Sequence, residues 1–294
     1  MEFTSFKAIV RDEVERRTGN ECFVRLNDII KNNGVKLCGL TVTQGEGNIS
    51  PTIYLDAYYE AYESGRADLE EIVSEIISVY KSNKPACNID MEYFLNYEAV
   101  RKRIVYKLIN TEKNWELLSD IPHIEFHDLS IVFQFLLESD CFGSATILIH
   151  NAHMKIWGIT LNEIYNDAKR NTPILNRYEI KSMGDVISEI MPAQDSAHND
   201  VPLYVLSNKS RLQGAACMLY PDLLKNFSAA VDSSLYIIPS SIHEVLLLPT
   251  DENDDAENIK QMIKEVNDTQ VEEEEVLSYS VYFYDNADDR IYKC

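Results

Sequence analysis

Basic residues are scarce in this chain: 27 Lys and Arg stand against 48 Asp and Glu, a formal net charge of −21 at pH 7. A surface of that sign repels phosphate backbones, which argues against non-specific binding of DNA or RNA. Long apolar runs are missing as well; no stretch approaches the roughly 18 apolar residues that cross a bilayer. The opening MEFTSFKAIVRDEVERRTGN holds neither an apolar signal core nor a small-residue cleavage site. It reads instead as an amphipathic helix, with Phe3, Phe6, Ile9, Val10 and Val14 spaced for one buried face. The expectation is a cytoplasmic protein with no membrane association and no direct nucleic-acid binding.

Metal and redox spacings are absent too. The six cysteines, Cys22, Cys38, Cys87, Cys141, Cys217 and Cys294, are scattered with no Cys-x-x-Cys, so neither a zinc knuckle nor a disulfide framework is indicated. They are expected to be mostly buried, reduced and inert. Gly34, Gly39, Gly45 and Gly47 are loosely spaced turn glycines, not a phosphate cradle. No Walker loop, dinucleotide fingerprint, kinase signature or Gly-x-Ser-x-Gly elbow occurs. No cofactor is expected.

What is present is ordinary globular composition, 45% apolar and 26% charged, in 294 residues, more than one domain usually holds. CFVRLNDII and VKLCGLTVTQG, separated by Lys31-Asn32-Asn33-Gly34, predict a β-hairpin, because Asn-Gly supplies positive backbone dihedrals. Ser50, Pro51 and Gly65 bracket a predicted helix, and Asp68 with Glu71 forms a capping-box pattern for the next. MEYFLNYEAVRKRIVYKLIN reads as a further helix, running to about Leu117. HIEFHDLSIVFQFLLES and SATILIHNAHMKIWGI read as two adjacent antiparallel strands around a turn at Asp140–Gly143. A helix capped by Thr160 and Glu163, a loop MPAQDSAHNDVP, a strand LYVLS and a helix from about Tyr220 to Val231 follow. A helix over Glu257–Val266 and a final strand SYSVYFYD complete the chain. The expected fold is α+β. Residues 1–118 form a helix-rich N-terminal half with a hairpin. Residues 119–294 form an α+β half of mainly antiparallel strands with flanking helices and an acidic C-terminal segment.

Four patterns carry candidate chemistry. In LYIIPSSIHEVLLLP, Ser240, Ser241, His243 and Glu244 sit between two strand-like runs. His243 and Glu244 are adjacent in a strand and point to opposite faces, which opposes a Ser-His-Glu relay and favours a polar strand-to-strand junction. His123, His127, His150 and His153 could meet at a metal if their strands are neighbours, but no carboxylate or cysteine spacing reinforces them. Tyr54, Tyr58 and Tyr62 share one helical stripe, as in a tyrosine-edged core or an interface patch. From Asp251 onward, 14 Asp and Glu face 4 Lys and Arg, making Asp251, Asp254, Asp255 and Glu272, Glu273, Glu274 and Glu275 candidates for an acidic binding surface.

KNNGVKLCGLTV, NISPTIYLDAYYEAYESG, LYVLSNKSRLQGAACMLYPDLL and LYIIPSSIHEVLLLP together resemble a bacterial domain-of-unknown-function family frequent in gut Clostridia and their mobile elements. The order of elements from residue 122 onward is more faintly similar to the uncharacterised YtpQ-type family. The resemblance implies a cytosolic bacterial protein of mobile-element origin and carries over no functional residues. The resulting expectation is a non-catalytic binding or regulatory protein whose acidic surface meets a basic protein partner, such as a nucleic-acid-processing or defence enzyme. The alternative is a hydrolase using a Ser/His pair in the PSSIHE segment.

Overall fold

The computed structural model describes residues 1–19, 21–45, 50–84, 88, 90–139, 143–190, 202–250 and 256–294. The loop predicted over 191–202, the turn at 140–143, Cys87 and Cys141 lie largely or wholly outside the described residues. Residues 1–94 and 137–145 form one compact unit, and residues 95–136 and 146–294 a second. Residues 95–118, expected with the N-terminal half, therefore lie with the second unit. The fold is α+β, and the strand pairings whose register is described are antiparallel.

The first unit follows its local signals closely. Helix α1 (Phe3–Thr18) buries Phe6, Val10 and Val14, while Ile9 stays exposed. Strands β1 (Cys22–Ile30) and β2 (Lys36–Gln44) form the predicted hairpin, and Asn33 and Gly34 adopt positive φ at its turn. The sequence SPTIYLD (50–56) departs from the predicted helix. Residues Thr52–Tyr54 instead form strand β3 on the open edge of β2, and helix α2 (Asp56–Glu63) starts only after them. The Thr-Ile-Tyr triplet suits a pleated surface, it buries Ile53, and Asp56 Oδ2 accepts the Cys38 N–H at 2.8 Å. Tyr54 thus leaves the stripe, whereas Tyr58 and Tyr62 edge the core. Helix α3 (Leu69–Asn83) has both hydrogen bonds of the Asp68–Glu71 capping box and closes the core with Ile72, Val73, Ile76 and Tyr80.

The stretch predicted as one helix up to Leu117 is divided into five elements. Helices α4 (Met91–Leu95) and α5 (Tyr97–Val100) precede a 3-10 turn at Arg101–Arg103, then strand β4 (Ile104–Asn110) and short helix α6 (Trp115–Leu118). IVYKLI is β-branched and aromatic, and buries residues on both faces, including Ile104, Val105, Tyr106, Leu108 and Ile109. Strand β5 (His123–Phe126) turns at His127–Asp128 into β6 (Leu129–Ser139), so one predicted strand is two. β6 pairs with β4 along the whole length of β4, and β7 (Gly143–Leu148) pairs with β6. HNAHMKIW, predicted as strand, forms helix α7 (Asn151–Trp157), ended by left-handed Gly158.

Helix α8 (Leu161–Leu175) starts at the predicted Thr160–Glu163 box. It lies along the outer edge of β4 and meets that strand's polar groups with side chains. Thr172 Oγ1 accepts the Tyr106 N–H at 3.1 Å, and Asn171 Nδ2 donates to the carbonyls of Arg101 and Ile104 at 2.8 and 2.9 Å. A strand edge without a neighbour is closed in this way. Next come β8 (Tyr178–Ser182), α9 (Met183–Ile190), β9 (Tyr204–Asn208), α10 (Leu223–Val231), β10 (Leu235–Ile238), β11 (Glu244–Pro249), α11 (Ala256–Gln270), β12 (Tyr282–Asp285) and β13 (Arg290–Lys293). Six of these strands make a sheet of order β13-β12-β10-β11-β9-β8.

The predicted final strand SYSVYFYD is strand only from Tyr282. Ser278 and Ser280 are diverted by Asp128 in the β5–β6 turn, whose carboxylate accepts from the Ser278, Ser280 and Tyr282 hydroxyls at 2.6, 3.1 and 2.6 Å. Burial alone would raise this carboxyl, but the hydrogen bonds and Lys293 outweigh it and hold Asp128 below the ordinary aspartate value. A depressed folded value stabilises above the unfolded one and fades as pH falls through it. Asp128→Asn is expected to lower the unfolding free energy by about 2 kcal/mol at neutral pH in urea titrations, and the gap to the parent should narrow below about pH 4.

Candidate functional site

The PSSIHE stretch is the connection between β10 and β11, which pair from Leu235↔Pro249 to Ile238↔Leu246. His243 is half-buried in it. His243 Nδ1 accepts the Gln213 N–H at 3.2 Å, and Nε2 lies 3.1 Å from Glu275 Oε1. With Nδ1 accepting, the hydrogen on Nε2 points at the carboxylate. Ser241 Oγ accepts the His243 N–H at 3.0 Å, and the Ser207 hydroxyl donates to the His243 carbonyl at 2.7 Å. Ser240 and Ser241 are buried. Both ring nitrogens of His243 are thus engaged by groups other than a serine hydroxyl.

Packing around this junction is tight. Gly214 opens a 3-10 turn (Gly214–Leu219), and a Cβ there would lie 2.3 Å from Ser207 Oγ and 2.5 Å from the His243 carbonyl oxygen. Gln134 Nε2 donates to Gln213 Oε1, extending the network into β6. The acid that meets His243 is Glu275, 32 positions away; Glu244, on β11, sits in register with Ser207. Only the tertiary fold brings Glu275 there, so adjacency in sequence pointed to the wrong carboxylate.

The acidic candidates divide. Glu272 and Glu273 are exposed, Glu274 and Glu275 half-buried, and Glu275 is drawn inward by His243 and by the Ile242 N–H, which donates to its carbonyl at 2.8 Å. Asp251, Asp254 and Asp255 lie outside the described residues. The four histidines also divide. His123 Nδ1 lies 3.1 Å from the Ile121 carbonyl, and His127 Nε2 3.2 Å from that of Ile291, with its ring stacked on Tyr282. His150 and His153 do meet, at the start of α7, where His153 Nδ1 accepts the His150 N–H at 3.0 Å and His150 Nδ1 lies 2.7 Å from Asp120 Oδ2. Burial, followed by the neighbouring His150, lowers the His153 value. Among the described residues no three His, Cys, Asp or Glu side chains gather where a metal ion could be held. Three of the four described cysteines are buried and Cys294 is exposed.

A second locality carries no sequence motif. A cavity of about 750 Å³ opens beside α5, α7 and α8, and Tyr97, Arg101, Trp157, Glu163, Asp167 and Arg170 are among its lining residues. At its base Asp167 has a side chain 4% exposed, and it accepts from the Tyr97 hydroxyl at 2.7 Å and Arg101 Nε at 3.0 Å, with Arg170 as a third partner. Burial pushes the Asp167 carboxyl up, but Arg101 and Tyr97 more than offset this and keep it below the ordinary value. Arg101 also pairs with Glu98 at 2.9 Å and lies over the Tyr97 ring, 5.6 Å from its centroid. Tyr97 and Trp157 stand 5.6 Å apart with their planes at 44°. The one signal available in sequence is scarcity, since Trp157 is one of two tryptophans.

Residues 3–286 match the model of a family of unknown function, DUF5688. The chain belongs to DUF5688. No curated protein and no solved structure matches it. The match takes in both localities of this DUF5688 chain, the His243 junction and the Trp157 cavity. Among the described residues no helix is long and apolar enough to cross a membrane.

Because Gly214 is held against backbone and Ser207, Gly214→Ala is expected to lower stability by about 2–3 kcal/mol. Gly184→Ala, in α9, where the nearest atom to an added Cβ is Ser182 Oγ at 3.8 Å, should be neutral or slightly stabilising. Thermal melts of the two variants check the contrast.

Proposed function

We propose that this protein binds a positively charged macromolecular partner in the cytoplasm and regulates it by surface contact, without turnover. One observation carries the reading: the segment that pairs serines with a histidine is a packed junction. His243 bonds to Gln213 and Glu275, and Ser241 accepts from backbone. A relay needs the serine hydroxyl at the base nitrogen, so the hydrolase reading loses its main support. The net charge of −21 then supplies the principal long-range force the chain can exert on another molecule. Glu272 and Glu273, exposed on the turn before the last strands, belong to that surface.

Attraction of this kind is screened by salt. A fluorescent oligolysine peptide should bind at about 50 mM salt and weaken at least roughly tenfold at about 500 mM, where the screening length falls below about 5 Å. An oligoglutamate peptide of equal length should not bind. Fluorescence anisotropy checks both, and an absence of oligolysine binding at low salt would defeat the proposal. Glu272→Lys with Glu273→Lys should weaken the low-salt binding about threefold, chiefly through slower association.

A further inference from the structure

We infer that the cavity beside α5, α7 and α8 receives a lysine or arginine side chain of the partner, an inference that rests on the basic-partner reading above. Walls, charge and rim agree on this occupant. Trp157 and Tyr97 contribute aromatic rings to the lining, and tryptophan is the strongest of the rings that attract a cation. Arg101, placed over Tyr97, already shows one guanidinium accepted by this wall. The neighbouring Ile156 and Leu95, 58% and 46% exposed, offer apolar surface for the aliphatic stem that a lysine or arginine brings with its charge.

The charge balance selects the sign. Arg101 and Arg170 both pair with Asp167, and Arg101 also with Glu98, so their charges are met within the site. Glu163 remains as the carboxylate not paired with an arginine. Its Oε2 accepts the Thr160 N–H and hydroxyl, both at 2.8 Å, and these bonds hold it below the usual glutamate value and therefore ionised. Three carboxylates and two guanidiniums leave one negative charge for an incoming group to neutralise. A phosphate or carboxylate would instead meet that charge and compete with Asp167 for its arginines. The volume, about 750 Å³, lies within the range of formed binding sites.

The test uses the full chain with Trp115→Phe, which leaves Trp157 as the sole tryptophan. Trp115 is 68% exposed, so its replacement is tolerated. Pentalysine, pentaarginine, pentaglutamate, inorganic phosphate and adenosine are titrated in turn while Trp157 emission is followed. Emission should change with the two basic peptides and with none of the others, along the same curve as anisotropy binding. Trp157→Ala and Glu163→Gln should each weaken basic-peptide binding about three- to tenfold. Glutamine keeps the capping box, so the second variant separates lost charge from lost folding. Unchanged binding in both variants overturns the cavity while leaving the basic-partner reading in place. No binding by the parent overturns both. A response to phosphate or adenosine in place of the basic peptides also overturns the inference.

Discussion

The second unit depends on how one strand edge is closed. β4 pairs with β6 on one side only, and the other side would leave its N–H and C=O groups open. α8 closes it with a single face, since Asp167, Ala168, Asn171 and Thr172 recur at helical spacing. Asn171 takes the carbonyls of Arg101 and Ile104, and Thr172 takes the Tyr106 N–H. One turn earlier, Asp167 takes the Arg101 side chain and the Tyr97 hydroxyl. The cavity is therefore the continuation of a structural contact: the contacts that seal β4 also set the position of its charged base.

Buried polar groups elsewhere do comparable work. Asp128 gathers three hydroxyls and ties the β5–β6 turn to the approach of β12. His243 and Glu275 tie the β10–β11 connection to the segment that follows α11. In each case a polar group partly removed from water is compensated by hydrogen bonds, and removing one partner leaves the others with part of the desolvation penalty unmet. Residues that look reactive in one dimension are used here as struts. Glu272 and Glu273 stay outside, where solvation makes their charge inexpensive.

Local chemistry made part of the fold legible. Asn33-Gly34 specified a hairpin because few other dipeptides tolerate two positive φ values. Asp68–Glu71 and Thr160–Glu163 marked helix starts because each box satisfies backbone donors within one turn. The junction at Pro239–His243 was legible as well, since proline ends a ladder and the flanking runs are β-branched or leucine-rich. β3, β4 and α7 were not. Their sequences are compatible with more than one state, and the choice came from partners: β2 for Thr52–Tyr54, β6 for Ile104–Asn110. Of the candidate chemistry, the junction's structural role could be read; the Glu275 contact and the Trp157 cavity could not, because they join residues 32 and 60 positions apart.

Composition and short-range pattern were enough to establish an acidic α+β chain with a hairpin, capped helices and a polar strand junction. Those properties arise from backbone dihedrals, caps and net charge, which act within a few residues or over the whole surface. Which carboxylate meets His243, which helix seals β4, and which aromatic rings face one another were decided by the packed chain alone. Such pairings bring distant residues together, and their free energy appears only once the intervening chain has folded.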